Sequence, residues 1–149
     1  MSRKPSEAAV TAWARLIRAQ QTLLERVEGD LKAAGLPPLG WYDVLLELAR
    51  MQDGKLRQSE ICEKALLSKY NLSRLLDRLE EEGLVKRHPC KEDGRAAVVT
   101  ITAAGKTLQK KMWSVYEQAI ERHFARHLSS PEVQQLAELM GRVIAPPAP

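Results

Sequence analysis

The chain is poor in the residues that build active centres and covalent staples. Its 149 residues include two cysteines, Cys62 and Cys90, too few for a disulfide framework. It has no glycine-rich phosphate loop, no metal-ligand cluster and no G-x-S-x-G elbow, which leaves no recognisable site for phosphoryl transfer, metal-assisted hydrolysis or serine-nucleophile chemistry. An enzyme is therefore not expected, nor is a cofactor or a metal. No uninterrupted apolar run approaches a membrane span, so no membrane partner is expected. The N-terminus, Met1-Ser2-Arg3-Lys4-Pro5, is basic, but Glu7, Arg15 and Arg18 interrupt what would have to be a signal peptide's apolar region. A cytoplasmic location follows as an expectation.

What is present is a helical chain with a concentrated positive charge. The 44% hydrophobic content is enough for a globular core, and aromatics are scarce at 5%. The net charge of +4 is modest, but residues 84–111 hold seven basic side chains (Lys86, Arg87, Lys91, Arg95, Lys106, Lys110, Lys111) against Glu92 and Asp93. One region therefore carries more positive charge than the whole chain nets.

Helical periodicity runs from Ser6 to Ala34, with Val10, Trp13, Ile17, Leu24, Val27 and Leu31 in one seam widened by Leu16 and Leu23. So broad a seam on so long a helix calls for a partner helix, most simply from a second copy. Gly35 and Pro37-Pro38 stop it. Further helices are predicted over Leu39–Met51, Ser59–Ala65, Ser68–Glu82 and about Ala103–Leu128, the last capped by Thr102, with a short strand at Leu56-Arg57. Strands over Leu84–His88 and Ala96–Ile101 make a hairpin with a long loop holding Pro89 and Asp93-Gly94. The final helix carries Val133, Leu136, Ala137, Met140 and Val143. Its start fits either a Ser129–Glu132 capping box or a Ser130 cap followed by Pro131. Ala145–Pro149 is expected to fray.

The order helix, turn, helix, basic hairpin points to a winged helix-turn-helix, a device for seating one helix in a DNA groove with a wing beside it. On the Ser68–Glu82 helix, Leu72, Leu75, Leu76 and Leu79 form one face. Tyr70, Ser73, Arg74 and Asp77 lie opposite, flanked by Lys69, Asn71 and Arg78. Arginine can pair with guanine edges, asparagine with adenine, and hydroxyls with bases or phosphates. The N-terminal half should read the groove, with open backbone N–H groups over Ser68–Asn71 available to a phosphate. The acidic second half (Asp77, Glu80, Glu81, Glu82) fits a face that meets only water. At the hairpin tip, Lys91 and Arg95 can reach a minor groove, with Asp93 orienting the Arg95 guanidinium.

The tract from Leu56-Arg57-Gln58-Ser59-Glu60-Ile61 through Leu75-Leu76-Asp77-Arg78-Leu79-Glu80-Glu81-Glu82-Gly83-Leu84-Val85 resembles the multiple-antibiotic-resistance regulator (MarR) family of bacterial transcription factors. So does Asp93-Gly94-Arg95 followed by Thr100-Ile101-Thr102-Ala103-Ala104-Gly105, which is similar to that family's D-x-R wing and closing L-T-x-x-G. The chain departs from the pattern in lacking the usual threonine cap near Pro38-Leu39-Gly40 and in having Ile101-Thr102 for Leu-Thr. The resemblance implies a mostly α (α+β) fold. Within one MarR-type domain (1–149), a winged helix-turn-helix lobe (39–102, wing 84–102) would be flanked by long dimerisation helices (6–36 and 103–145). It further implies a homodimer that binds a pseudo-palindromic double-stranded operator, usually as a repressor, under the control of a small molecule or oxidant. By position, Ser68, Lys69, Tyr70, Asn71, Ser73 and Arg74 match the recognition-helix contacts, and Arg95, positioned by Asp93, matches the wing arginine.

The helix after the wing has two apolar stripes, Leu108–Met112–Val115–Ala119 and Trp113–Tyr116–Ile120–Phe124, so it needs covering on two sides. The expected dimer seam includes Val10, Trp13, Ile17, Ile120, Phe124, Leu136 and Met140. In the family such helices also wall an effector pocket, for which Trp13, Trp41, Tyr42, Trp113 and Tyr116 are candidate lining residues. The plainer reading, core or dimer interface, is preferred for each. His123 and His127 stand at i, i+4 and could face one metal ion, but no Cys or His in the first two helices could complete a tetrahedral site. An interface histidine is the preferred reading of His123. Cys62 reads as a small buried hydrophobe, and Cys90, beside His88 and Lys91, as a candidate redox thiol in the wing. Two alternatives to operator binding stand: a winged-helix module that docks protein, and a metal-responsive regulator using His123 and His127.

Overall fold

A computed structural model describes residues 2–65, 67–89 and 97–147. The elements run α1 (Glu7–Ala33), α2 (Leu39–Ala49), β1 (Lys55–Arg57), α3 (Gln58–Ala65), α4 (Lys69–Glu81), β2 (Val85–Pro89), β3 (Ala97–Ile101), α5 (Ala103–His123) and α6 (Ser130–Ile144). The structure is thus mostly helical with one small antiparallel sheet, in the order β1-β3-β2. Two compact units emerge: Asp30–Tyr116, and Met1–Gly29 with Glu117–Pro149.

The Asp30–Tyr116 unit has one core. Val44, Leu45 and Leu48 of α2, Ile61 of α3 and Leu72, Leu76 and Leu79 of α4 are fully buried there, together with Leu56, Val85, Val99 and Ile101 of the sheet. These are the apolar positions that helical and alternating spacing single out, so burial follows the sequence pattern. Cys62 packs half-buried against this core, as a small hydrophobe would.

The join between α4 and the wing is set by hydrogen bonds to backbone. At the end of α4, Gly83 adopts φ 73°, a left-handed conformation that a β-carbon would strain. There Gly83 N–H donates to Glu80 O (3.0 Å) and Leu84 N–H to Leu79 O (2.9 Å), a Schellman closure that turns the chain directly into β2. Thr102 then caps α5 by accepting from Gly105 N–H at 3.1 Å. Gly105 is buried so closely against the Leu84 carbonyl that a β-carbon there would collide with it.

Two expected helix ends need correction, and one open choice of cap is resolved. The helix α5 ends at His123, not near Leu128. Phe124 leaves helical geometry (φ −125°, ψ −68°), and the chain tightens into a 3₁₀ turn at Ala125–His127 with His127 N–H on Phe124 O (3.1 Å). His123 and His127 therefore do not share one helix face, and the i, i+4 premise of a metal pair is not met. The helix α2 ends at Ala49, and Met51 instead accepts from Gly54 N–H in the turn that leads to β1. At α6 the structure selects one of two caps: Ser129 accepts from Glu132 N–H (3.3 Å) and Glu132 accepts from Ser129 N–H (2.8 Å), a complete capping box. The short strand near Leu56 is real and pairs with β3, Leu56 opposite Val99.

In the other unit, Val10 (54% exposed), Trp13 (65%), Ile17 (41%) and Leu24 (43%) leave much of their apolar surface to water within one protomer. Ile120, Phe124, Leu136 and Met140 are half-buried, while Val143 is largely exposed. Among the described residues no helix is long and apolar enough to cross a membrane.

Candidate nucleic-acid interface

The helix α4 is built for one buried side and one open side. Leu72, Leu76 and Leu79 are fully buried, whereas Tyr70 is 68% exposed and Lys69, Asn71, Arg74 and Arg78 are also exposed. Ser73 is half-buried. Ser68 lies one residue before the helix as its N-cap, accepting from Asn71 N–H at 3.1 Å. The Asn71 N–H is thus already satisfied, a correction to the open set expected over Ser68–Asn71.

Two of the expected contact residues are coupled. The Arg74 guanidinium lies 5.6 Å from the Tyr70 ring centroid, and its Nη1 donates to the Tyr70 hydroxyl at 3.3 Å. Tyr70 thereby restricts the directions in which Arg74 can point. Asn71, Arg74 and Arg78 also line an open groove of about 230 Å³ with Leu75 and with Trp41 of α2. Its two guanidiniums, an amide and an indole suit an anion lying against a ring.

Lys91, Asp93 and Arg95, the expected wing contacts, lie outside the described residues, as does Cys90. The strands that lead to that tip are described. Across the sheet, Lys55, Thr100 and Lys86 form one row and Arg57, Val98 and His88 the row two residues on, so all six share a face. Lys55, Arg57, Lys86 and His88 are exposed on it, a basic surface that the sequence reading did not isolate. The signal was present in the strand alternation, but it emerges only once β1 is paired with β3.

The opposite row, Leu56–Val99–Arg87, faces the core, and there Arg87 meets the second half of α4. Its Nη2 donates to Asp77 Oδ1 (2.6 Å) and Glu80 Oε1 (3.0 Å), its Nε to Glu80 Oε1 (3.3 Å), and its backbone N–H to Glu80 Oε2 (2.9 Å). The Arg87 backbone and side-chain hydrogen bonds hold the Glu80 carboxyl below the ordinary carboxylate range. Burial works against the charged form of Arg87, but Asp77 and Glu80 outweigh it and raise its pKa. Asp77 and Glu80 were expected to meet only water; instead they neutralise one of the patch's seven cations.

The five candidate pocket aromatics separate. Tyr42, Trp113 and Tyr116 cluster: Tyr42 stacks on Trp113 (centroids 6.1 Å, 18° between planes) and meets Tyr116 edge-on at 5.2 Å. Burial raises the pKa of both phenols, so the cluster stays uncharged at neutral pH. Trp113 keeps 40% of its surface exposed. Trp41, next in sequence to Tyr42, packs instead against the lobe core and the α4 groove. Trp13 belongs to the other unit and is 65% exposed.

Comparisons with known proteins agree with this geometry. The profile of the MarR family matches residues 34–96. The chain is 33% identical over 113 residues to YfiV of Bacillus subtilis, an uncharacterised HTH-type transcriptional regulator, covering 70% of this chain and 69% of that one. Its fold is similar to that of Sco3205, a MarR-family transcriptional regulator from Streptomyces coelicolor solved in complex with DNA (TM-score 0.86, 24% identity, 96% of this chain and 89% of that one). It is also similar to a mutant of Escherichia coli MarR complexed with operator DNA (TM-score 0.79, 21% identity, 95% and 100%). A leucine-backed helix with a cationic outer side, a three-stranded wing sheet and these matches lead to one conclusion: the chain belongs to the MarR family and is a transcriptional regulator, not an enzyme.

Proposed function

We propose that the chain acts as a homodimer that binds a pseudo-palindromic operator and represses adjacent genes, its DNA affinity modulated by a small-molecule or oxidant signal. The observation that carries this reading is the two-sidedness of α4, with Leu72, Leu76 and Leu79 fully buried behind exposed Lys69, Tyr70, Asn71, Arg74 and Arg78. In a major groove, Arg74 and Asn71 offer the donor geometry for guanine and adenine edges, and Lys69, Tyr70 and Ser73 reach bases or phosphates. Ser68, whose oxygen already caps the helix, still has its O–H to offer a phosphate. Lys91 and Arg95, with Asp93 as orienting partner, serve the minor groove. Arg78 and the basic sheet face of Lys55 and Lys86 supply backbone contacts on either side.

Self-association is supported by the apolar surface that one protomer leaves open at Val10, Trp13, Ile17 and Leu24. Residues 6–36 and 103–145 form the dimerisation helices and 39–102 the DNA lobe in this reading. The Tyr42–Trp113–Tyr116 cluster, with Trp113 partly exposed, offers an aromatic surface for an apolar effector in this reading. Selecting duplexes from a random-sequence pool tests the reading. It requires an inverted repeat, retention by a dimer, and affinity that falls steeply with salt.

A further inference from the structure

We infer that Arg87 does not contact DNA and is instead the positioning residue of the wing, which it locks to the recognition helix through Asp77 and Glu80. The inference rests on the operator reading above and extends it to a residue that lies within the basic patch.

The geometry favours a lock over a phosphate contact. Arg87 stands on the core-facing row of β2 with Leu56 and Val99, and its side chain is only 24% exposed. Among the described residues its guanidinium hydrogen-bonds to Asp77 and Glu80, one turn apart on α4. Two carboxylates face one guanidinium, so the trio presents no surplus positive charge to a polyanion. Glu80 also accepts the Arg87 backbone N–H, on a strand that among the described residues pairs only with β3. That carboxylate thus satisfies an edge-strand donor while it holds the side chain. Four hydrogen bonds between β2 and α4 fix the base of the hairpin relative to the helix. A planar fork bridging two acceptors resists rotation in a way that a single flexible ammonium cannot. DNA binding needs that rigidity, because helix and wing must enter neighbouring grooves together.

The two roles predict opposite signs. Asp77→Asn/Glu80→Gln removes two negative charges beside the DNA face. If Arg87 were a phosphate contact restrained by those carboxylates, the variant would bind DNA more tightly. If Arg87 positions the wing, the variant binds about tenfold more weakly despite its more positive surface. The probe is a fluorescent duplex selected by the wild-type protein from a random pool. Arg87→Lys keeps the charge and loses the fork, and weakens binding similarly under the lock; near-wild-type affinity of Arg87→Lys overturns it. A readout without DNA is the Arg87 amide, which exchanges with solvent faster in Glu80→Ala if the bond to β2 is as described. Unchanged exchange, or unchanged or tighter binding by the double variant, rejects the lock. Should the double variant not fold, Arg87→Lys and the exchange measurement decide alone. A wild-type chain that selects no duplex would instead remove the operator reading, and this inference with it, while leaving the exchange result intact.

Discussion

The hydroxyl of Thr102 donates to the carbonyl of Gly83 at 2.7 Å, joining the start of α5 to the turn that ends α4. Thr102 N–H also donates to Leu84 O at 3.0 Å, so one residue fastens both sides of the wing's base. Thr102→Val removes the cap on Gly105 and the bond to Gly83 together. It should cost about 1–2 kcal/mol in denaturant unfolding. Thr102→Ser keeps both bonds and should lose far less; equal losses for the two variants would contradict a hydroxyl-based role.

Gly105 makes the complementary point about space. A β-carbon there meets the Leu84 carbonyl and the Ile101 side chain, both part of the lobe core. Gly105→Ala should destabilise by about 1–3 kcal/mol despite alanine's better helix propensity. A stabilised variant would show that the α5–β2 junction yields easily.

On the exposed side of α4, Arg74→Ala should weaken operator binding by about 1–3 kcal/mol with little change in melting temperature. Tyr70→Phe removes the hydroxyl that accepts from Arg74 at 3.3 Å but keeps the ring. Its effect should be smaller, and it should shrink in an Arg74→Ala background, where no guanidinium is left for the hydroxyl to hold. Additive losses in a double-variant cycle would mean that the two act independently.

Acid should loosen the α4–β2 junction. Glu80 has its folded pKa lowered below the ordinary 4.5, first by the Arg87 backbone N–H and then by its guanidinium. A carboxyl shifted down on folding contributes stability that is present above 4.5 and lost as pH falls through the lower folded value. Glu132, lowered by its capping bonds to Ser129, behaves in the same direction. Wild-type stability should therefore drop below pH 4.5 more steeply than that of Glu80→Gln. Parallel profiles would count against the ion pair in solution.

The lobe was largely legible from spacing. The leucines of α4, the alternation of β3 and the glycine at position 83 each have a local physical signature, and each element formed close to where that signature places it. What local pattern could not supply was pairing across a turn. Arg87 is ten residues from Asp77, and only the left-handed Gly83 brings them within 2.6 Å. The aromatics at positions 41 and 42 show a related failure. Adjacent on a helix, they diverge by about 100°, so Trp41 packs against the lobe core and Tyr42 against Trp113 and Tyr116. The break at Phe124 had no proline or glycine to announce it.

The most decisive measurement is the affinity of the wild-type chain for its selected duplex across a salt series, combined with a footprint of the bound complex. Two protected half-sites about one helical turn apart or a multiple of it, with log affinity falling steeply and linearly against log salt, are predicted. Salt-insensitive binding, or a single unrepeated protected stretch, would contradict a paired helix-and-wing grip on DNA.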